Sequence, residues 1–414
     1  MGKTFLLKEF GKRHFPETHY FNFEEDKGLG TIFNGDLKVA RIVDDLSLHQ
    51  GKEIRDEDLV IFDEVQACPL ALTSLKYFCE NRPDGYLIAA GSLLGIHLSS
   101  SFPVGKVKFL DLHPLNFDEF LLALGETAFH KKLSNQARDF SIPDSVHEKL
   151  FKLFLLYLIV GGMPEAVKTY VENMGSSVKA FKAVREVQRD LITGYTNDIA
   201  KHSGKMSALN IERVWRSVAS QLSLSHDGTA KKYRFKDVLS GQKSFRDLAG
   251  PIDWLKKAGL ILQVKIVNKG SMPSEAYTKE NRFKLLLHDS GLLGCMADLD
   301  PVVLLSWSFG TYKGYYAENY VAQELTSLGY PLYSWEEGTA EIEFLLSRGD
   351  QNIPVEVKSG HVVKAKSLLM FHKKYSPERS LVISANPSNY DDLGKLKVAL
   401  YSTSWLDSII DIED

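Results

Sequence analysis

An α/β fold, with a parallel sheet near the N-terminus and a second, smaller α/β region near the C-terminus, follows from three observations. Two continuous apolar strands, DLVIFDEV at 58–65 and GYLIAAGS at 85–92, alternate with helical stretches, as strands covered on both faces do. From Asn116-Phe117 onward the pattern turns to long helical segments. Near the C-terminus, two alternating stretches flank Arg348-Gly349-Asp350-Gln351, which has the chemistry of a tight hairpin. The 414 residues exceed one ordinary core, and 44% hydrophobic with 25% charged residues is the composition of a globular protein.

Taken in order, Phe5, Leu6 and Phe10 recur at helical spacing, and 19–23 reads as a short aromatic strand. Residues 39–48 and 70–79 read as helices around the strand at 58–65. Next comes an all-helical stretch with helices at 147–160, 164–173 and 178–199. Residues 210–267 suggest a helix, a second helix near Phe235, a third at 245–258 and then the strand GLILQVKIVN, an order that fits a winged helix. The last region places a helix at 318–325, strands at 341–346 and 353–358, a helix at 365–375 and a strand at 379–384.

Acidic and basic residues nearly cancel, 53 against 50, so whole-chain charge predicts neither nucleic-acid coating nor membrane attraction. The most apolar stretch, 153–160, is far short of the roughly 18 residues that cross a bilayer, and it reads as a buried helix. The N-terminus lacks a secretory signal, and three widely spaced cysteines, Cys68, Cys79 and Cys295, fit a thiol-reducing cytoplasm. No CxxC or HExxH pattern points to zinc.

Candidate chemistry starts at the first residues. Gly2, Lys3 and Thr4 match the end of a phosphate-binding loop GxxxxGK[ST], in which the lysine and the hydroxyl reach the outer phosphates and magnesium. Met1 is expected to fall partway through that loop, so weak or no ATP binding is expected of the 414-residue chain. Asp63 and Glu64 end an apolar strand where open α/β sheets bind ligands. There Asp63 would hold magnesium through water and Glu64 would polarise the attacking water. Ser92, at the end of the next strand, is placed to sense the terminal phosphate. Arg82, Arg185 and Arg189 are candidates for an arginine that completes the site.

In the C-terminal region, a two-residue turn at Gly349-Asp350 would set Glu343 opposite Glu356, and Glu341 opposite Lys358. Like charges so placed repel, and a divalent cation would relieve them. Glu343, Glu356 and Lys358, with Glu318 from the preceding helix, are the parts of a magnesium-dependent nuclease centre.

Together GKTFLLKEF, LVIFDEVQ, AAGSLLG, VGKVKFLDLHPLNFDEFL, GGMPEAV, HDSGLL, AENYVAQEL, AEIEFLL and IPVEVKSG resemble prokaryotic AAA-type ATP-binding proteins. Those proteins carry a C-terminal domain of unknown function with a PD-(D/E)xK nuclease-like fold. The resemblance implies nucleotide binding by Lys3 and Thr4, magnesium and water handling by Asp63 and Glu64, and a regulatory or nucleic-acid-linked role for the remainder. The family usually has Asp where this chain has Glu343, and it has a strand and further loop residues before GKT.

The expected organisation is a P-loop ATPase core at 1–125, lacking its first strand, then a helical lid at 126–205, a winged helix at 206–285 and a restriction-endonuclease-like α/β domain at 286–414. The leading functional expectation is an ATP- and magnesium-dependent switch coupled to a non-catalytic nuclease-like domain. One alternative is a module with a degenerate ATPase part that binds nucleic acid or protein. Lys231, Lys232, Arg234 and Lys236, and Lys364, Lys366, Lys373 and Lys374, form clusters able to track phosphates. Another alternative is a magnesium nuclease.

Overall fold

A computed structural model describes residues 2–92, 105–135, 142–222, 230–361, 366–391 and 395–411. The chain divides into two compact units, Met1–Leu112 and His113–Asp414.

Unit one opens with α1 (Lys3–His14), which Gly2 starts in a left-handed conformation at φ 70°. Next come β1 (Thr18–Asn22), the short α2 (Leu29–Ile32), α3 (Val39–Gln50), β2 (Leu59–Asp63), α4 (Pro69–Asn81) and β3 (Tyr86–Ala89). The three strands form a parallel sheet in the order β1-β2-β3, with Tyr20 beside Ile61 and Ile61 beside Ile88. All five residues of β2 are buried, which is why LVIFD is a continuous apolar run and not an alternating one. Val39, Ile42 and Leu46 form the buried stripe of α3, and Ala71, Leu75 and Phe78 that of α4. Phe62 is the hub of this core, with the rings of Phe21, Phe23, Phe33 and Phe78 set edge-on around it at centroid distances of 5.4 to 6.3 Å. Strand β3 lies at the sheet's edge, and Tyr86 there is 53% exposed.

Unit two begins with a helical series: α5 (Phe117–Ala123), α6 (Thr127–Ser134), α7 (Asp144–Val160), α8 (Pro164–Glu172), α9 (Ser177–Ser203), α10 (Lys205–Leu222) and α11 (Phe245–Lys257). A reciprocal capping box of Asn116 and Glu119 starts α5. The apolar stretch at 153–160 lies inside α7, whose last four residues are all buried. Among the described residues no single helix is long and apolar enough to cross a membrane.

Strands β4 (Ile261–Val267) and β5 (Phe283–Leu287) follow, then α12 (Ser290–Met296), α13 (Pro301–Leu305) and α14 (Tyr312–Ser327). The chain continues through β6 (Tyr333–Glu337), β7 (Ala340–Arg348), β8 (Gln351–Val357), α15 (Lys366–Tyr375), β9 (Ser380–Ser384), β10 (Asn389–Asp391), β11 (Lys395–Ala399) and α16 (Leu406–Ile410). One eight-stranded mixed sheet collects them in the order β10-β11-β9-β8-β7-β6-β4-β5.

This topology departs from the expected winged helix in two ways. No helix forms around Phe235; its ring instead packs against Tyr233, Phe245 and Phe283, so its apolar character serves a loop. Strand β4 pairs antiparallel with β5 and parallel with β6, so the expected wing belongs to the same sheet as the C-terminal strands. The local pattern of a helix followed by a strand was legible, but the partner of β4 lies 68 residues further on, measured from Lys265 to Tyr333.

Helix α14 is the axis of unit two: Tyr315 through Leu325 are buried without interruption. A helix buried all round must satisfy its polar side chains internally. Asn319 accepts from the Leu287 amide and donates to the Leu287 carbonyl. The Gln323 side chain accepts from the Ser290 amide and donates to the Tyr157 hydroxyl at 2.5 Å.

Candidate functional site

In unit one, the carboxyl ends of β1, β2 and β3 and the start of α1 bring five expected residues together. The Thr4 hydroxyl donates to Asp63 Oδ2 at 2.7 Å, joining the first turn of α1 to the end of β2. Lys3 Nζ donates to the Gly91 carbonyl at 2.5 Å. Burial holds Lys3 below the usual lysine range, while Glu64 and Asp63 oppose that shift. Glu64 follows β2 in a left-handed conformation, φ 49°, which turns its side chain toward the end of β3. There Glu64 Oε2 accepts from the Ser92 hydroxyl at 3.2 Å and from the Ser92 amide at 3.3 Å.

Two further residues belong to this group and were not foreseen. Tyr20 on β1 donates its hydroxyl to Asp63 Oδ2 at 2.8 Å, and its own proton is held up to about 12 by burial and by that carboxylate. Gln66 donates to Glu64 Oε2 at 2.5 Å and to Ser92 Oγ at 3.2 Å, fastening the acid to the serine. The parallel register could have found Tyr20, because Asn22 lies beside Asp63 and Tyr20 is two residues, hence one face repeat, behind.

Two of the candidate arginines are engaged structurally. Arg82 donates to Asp56 at 2.8 Å and to the Arg55 carbonyl at 2.7 Å. Arg185 is buried and donates to Gln188, Gly291 and Leu299 oxygens, tying α9 to α12 and the loop beyond it.

In unit two the hairpin register matches the one expected. Arg348 pairs with Gln351 around Gly349, at φ 57°, and Asp350. The ladder runs to Phe344 beside Val355, so its next step sets Glu343 against Glu356. Both are buried, as is Glu318 on α14. Lys358 Nζ lies 2.7 Å from Glu356 Oε1 and 3.6 Å from Glu343 Oε1, and the Val357 amide donates to Glu343 Oε2 at 3.1 Å. Burial, reinforced by Glu343, pushes the Glu356 carboxyl up to about 7. Burial does the same to Glu318, also about 7, with Lys284 pulling the other way.

Lys284 was not foreseen. It is fully buried on β5, with Nζ 2.7 Å from Glu318 Oε1 and 2.6 Å from Glu341 Oε1. Burial works against its charge, but Glu318 and Glu341 outweigh it and hold the ammonium above the usual lysine range. The signal was present in FKLLL: a lone lysine in an otherwise apolar, wholly buried strand needs a partner. Glu341 is thus committed to Lys284, and also to Lys231 at 2.9 Å, instead of facing Lys358. Among the described residues, no group of three or more His, Cys, Asp or Glu is arranged to hold a metal ion.

The motifs GGMPEAV and HDSGLL meet in a structural joint. Asp289 accepts from the Gly162 amide at 2.7 Å and from the Leu292 amide at 2.8 Å. A Cβ on Gly161, which has φ 76°, would lie 2.3 Å from Asp289 Oδ1, and one on Gly162 would lie 2.0 Å from the Leu115 carbonyl. Only glycine fits at either position. Of the basic clusters, Lys231 is spent on Glu341 and Lys374 on Glu337, and Lys364 lies outside the described residues.

Comparison with known families divides the chain in three. Residues 151–302 match a domain of unknown function (DUF8612), and residues 313–404 match another (DUF4143). No curated protein and no solved structure matches the chain. Residues 1–121 match the AAA domain family, in agreement with the parallel sheet of unit one, so the N-terminal part of this chain is an AAA-type domain of the P-loop ATPase class.

Proposed function

We propose that the chain is an ATP-binding switch in which unit one handles nucleotide and unit two is a nuclease-like α/β module that binds a partner and does not cut. The observation that carries the first half is the 2.7 Å hydrogen bond between Thr4 and Asp63, residues that P-loop chemistry requires side by side. They fit a magnesium-bound triphosphate: two oxygen ligands adjoin, and an ammonium already rests on an oxygen, the Gly91 carbonyl. When bound, that group supplies the phosphoanhydride and a cation that neutralises its charge. Lys3 and the Gly2 amide would hold outer phosphate oxygens, while Thr4 and Asp63 would hold the cation, Asp63 through water. Glu64, released from Ser92 and Gln66, would orient and polarise water, and Ser92 would report on the terminal phosphate. Support for the second half comes from the hairpin, which sets Glu343 against Glu356-Val357-Lys358 as a nuclease fold does, with Glu318 on the neighbouring helix.

Titration of the full chain with a fluorescent ATP analogue and magnesium tests the reading. Binding by the 414-residue chain is expected to be weak; Lys3→Ala is expected to remove what there is, whereas Glu64→Gln is expected to keep it and lower hydrolysis by about a hundredfold or more. Measurable binding that is equal in the parent chain and Lys3→Ala would remove Lys3 from the site and with it the assignment.

A further inference from the structure

We infer that the acidic centre of unit two is closed by its own ammonium groups, with Lys284 as the internal cation that replaces a divalent metal. The carboxylate oxygens are almost all taken. Glu318 Oε1 faces Lys284, and Glu318 Oε2 accepts from the Ala230 amide at 2.7 Å. Glu341 faces Lys284 with one oxygen and Lys231 with the other. Glu343 faces Lys358 and accepts from the Val357 amide, and Glu356 Oε1 faces Lys358. Of the described carboxylate oxygens of Glu318, Glu341, Glu343 and Glu356, Glu356 Oε2 alone is buried with neither a hydrogen bond nor an ammonium facing it, since Glu341 Oε1, which makes no hydrogen bond, lies 2.6 Å from Lys284.

Magnesium takes about six oxygens in near-octahedral array at about 2.1 Å, and most of those offered must be free. One free carboxylate oxygen, with the others held by ammonium groups and backbone amides, does not meet that demand, so the residues here do not fit the metal that a nuclease-like fold implies. Lys284 decides the matter because it cannot withdraw. Lys358 is part-exposed and can turn toward solvent, whereas Lys284 is fully buried on β5 with Glu318 and Glu341 as its carboxylate partners. The centre is therefore a charge-balanced joint linking α14, β5, β7 and the segment at Ala230-Lys231. Lys284 is its positioning residue.

Counting bound Mn²⁺ by electron paramagnetic resonance tests this without nucleotide. The full chain is used with Thr4→Ala and Asp63→Asn, which removes the cation ligands of unit one and keeps the result independent of the ATPase reading. At neutral pH this chain is expected to hold no Mn²⁺ more tightly than about 1 mM. Adding Lys284→Met is expected to create a site at least about tenfold tighter, lost again when Glu318→Gln is added. Should Lys284→Met fail to fold, Lys284→Gln keeps a donor toward both carboxylates while removing the charge, and the same gain is expected. Mn²⁺ held by the Lys284-containing chain and released by Glu343→Gln would overturn the inference. So would a folded, charge-free Lys284 variant that binds Mn²⁺ no more tightly than its parent.

Discussion

In unit one, Asp63 is met by the hydroxyls of Thr4 and Tyr20, and Glu64 by Ser92 and the Gln66 amide. In unit two, Glu318 and Glu341 are met by the Lys284 ammonium, and Glu343 and Glu356 by that of Lys358. Neutral hydroxyls and amides leave a carboxylate its charge and can rotate aside when a cation arrives. The buried ammonium of Lys284 cancels that charge and stays, while the part-exposed Lys358 is the looser of the two. On the proposed reading the first arrangement receives a ligand; the second already contains its counter-ion. A shared set of residue types thus separates an exchangeable site from a permanent one by whether the partner of each carboxylate is neutral or charged.

The most direct way to break this contrast is to remove the built-in counter-ion. Lys284→Met leaves Glu318 without its ammonium partner and Glu341 with Lys231 alone, and breaking a buried pair costs about 3 to 5 kcal/mol. The denaturant transition of unit two, followed separately from that of unit one because a two-unit chain need not unfold in one step, is expected to shift by that amount. Glu318→Gln added to Lys284→Met is expected to recover part of it.

A smaller effect comes from protons. Glu318 and Glu356, each pushed up to about 7, bind protons in the folded state that the unfolded chain releases near the ordinary carboxyl value of 4.5. Between those values the folded state holds more protons, so stability falls as pH rises. The denaturation midpoint of unit two is expected to decline from about pH 5 to pH 7. Glu356→Gln, which cannot ionise, is expected to flatten that decline, and a midpoint that rises over this range would contradict the charge balance described.

The smallest effect sharpens the other side. Tyr20→Phe removes one neutral donor from Asp63 and is expected to lower the stability of unit one by about 1 kcal/mol.

How much of this could be read from residues alone depends on the sequence distance between partners. The buried strand LVIFD and its acidic end were legible because a central parallel strand must be apolar on both faces, and the charge can only sit where the strand leaves the core. The register that sets Glu343 against Glu356 was legible because Gly349-Asp350 fixes it within a few residues. What escaped notice was long-range. Lys284 meets Glu318 across 34 residues and Glu341 by joining non-adjacent strands, and no local period announces either contact. The winged-helix expectation failed for the same reason, since β4 finds β6 only after three intervening helices. Gln66 and Tyr20 lay near expected residues, yet their side chains are ordinary in a loop and a strand until the fold turns them toward Glu64 and Asp63.

Helix α14, enclosed from Tyr315 to Leu325, carries a consequence for biosynthesis. Its neighbours come from both sides of the sequence: Phe154 and Tyr157 ring against Tyr320 from before it, and the turn at 400–405 packs on it from after. When the ribosome has just released this helix, the later half of its wrapping does not yet exist, so its tyrosines and buried acids wait exposed until residues 400–405 are made. Unit one has no such debt to later sequence, since its sheet and core lie within Met1–Leu112. Unit one's core is therefore complete early in synthesis, whereas the wrapping of α14 in unit two is completed only with sequence made much later.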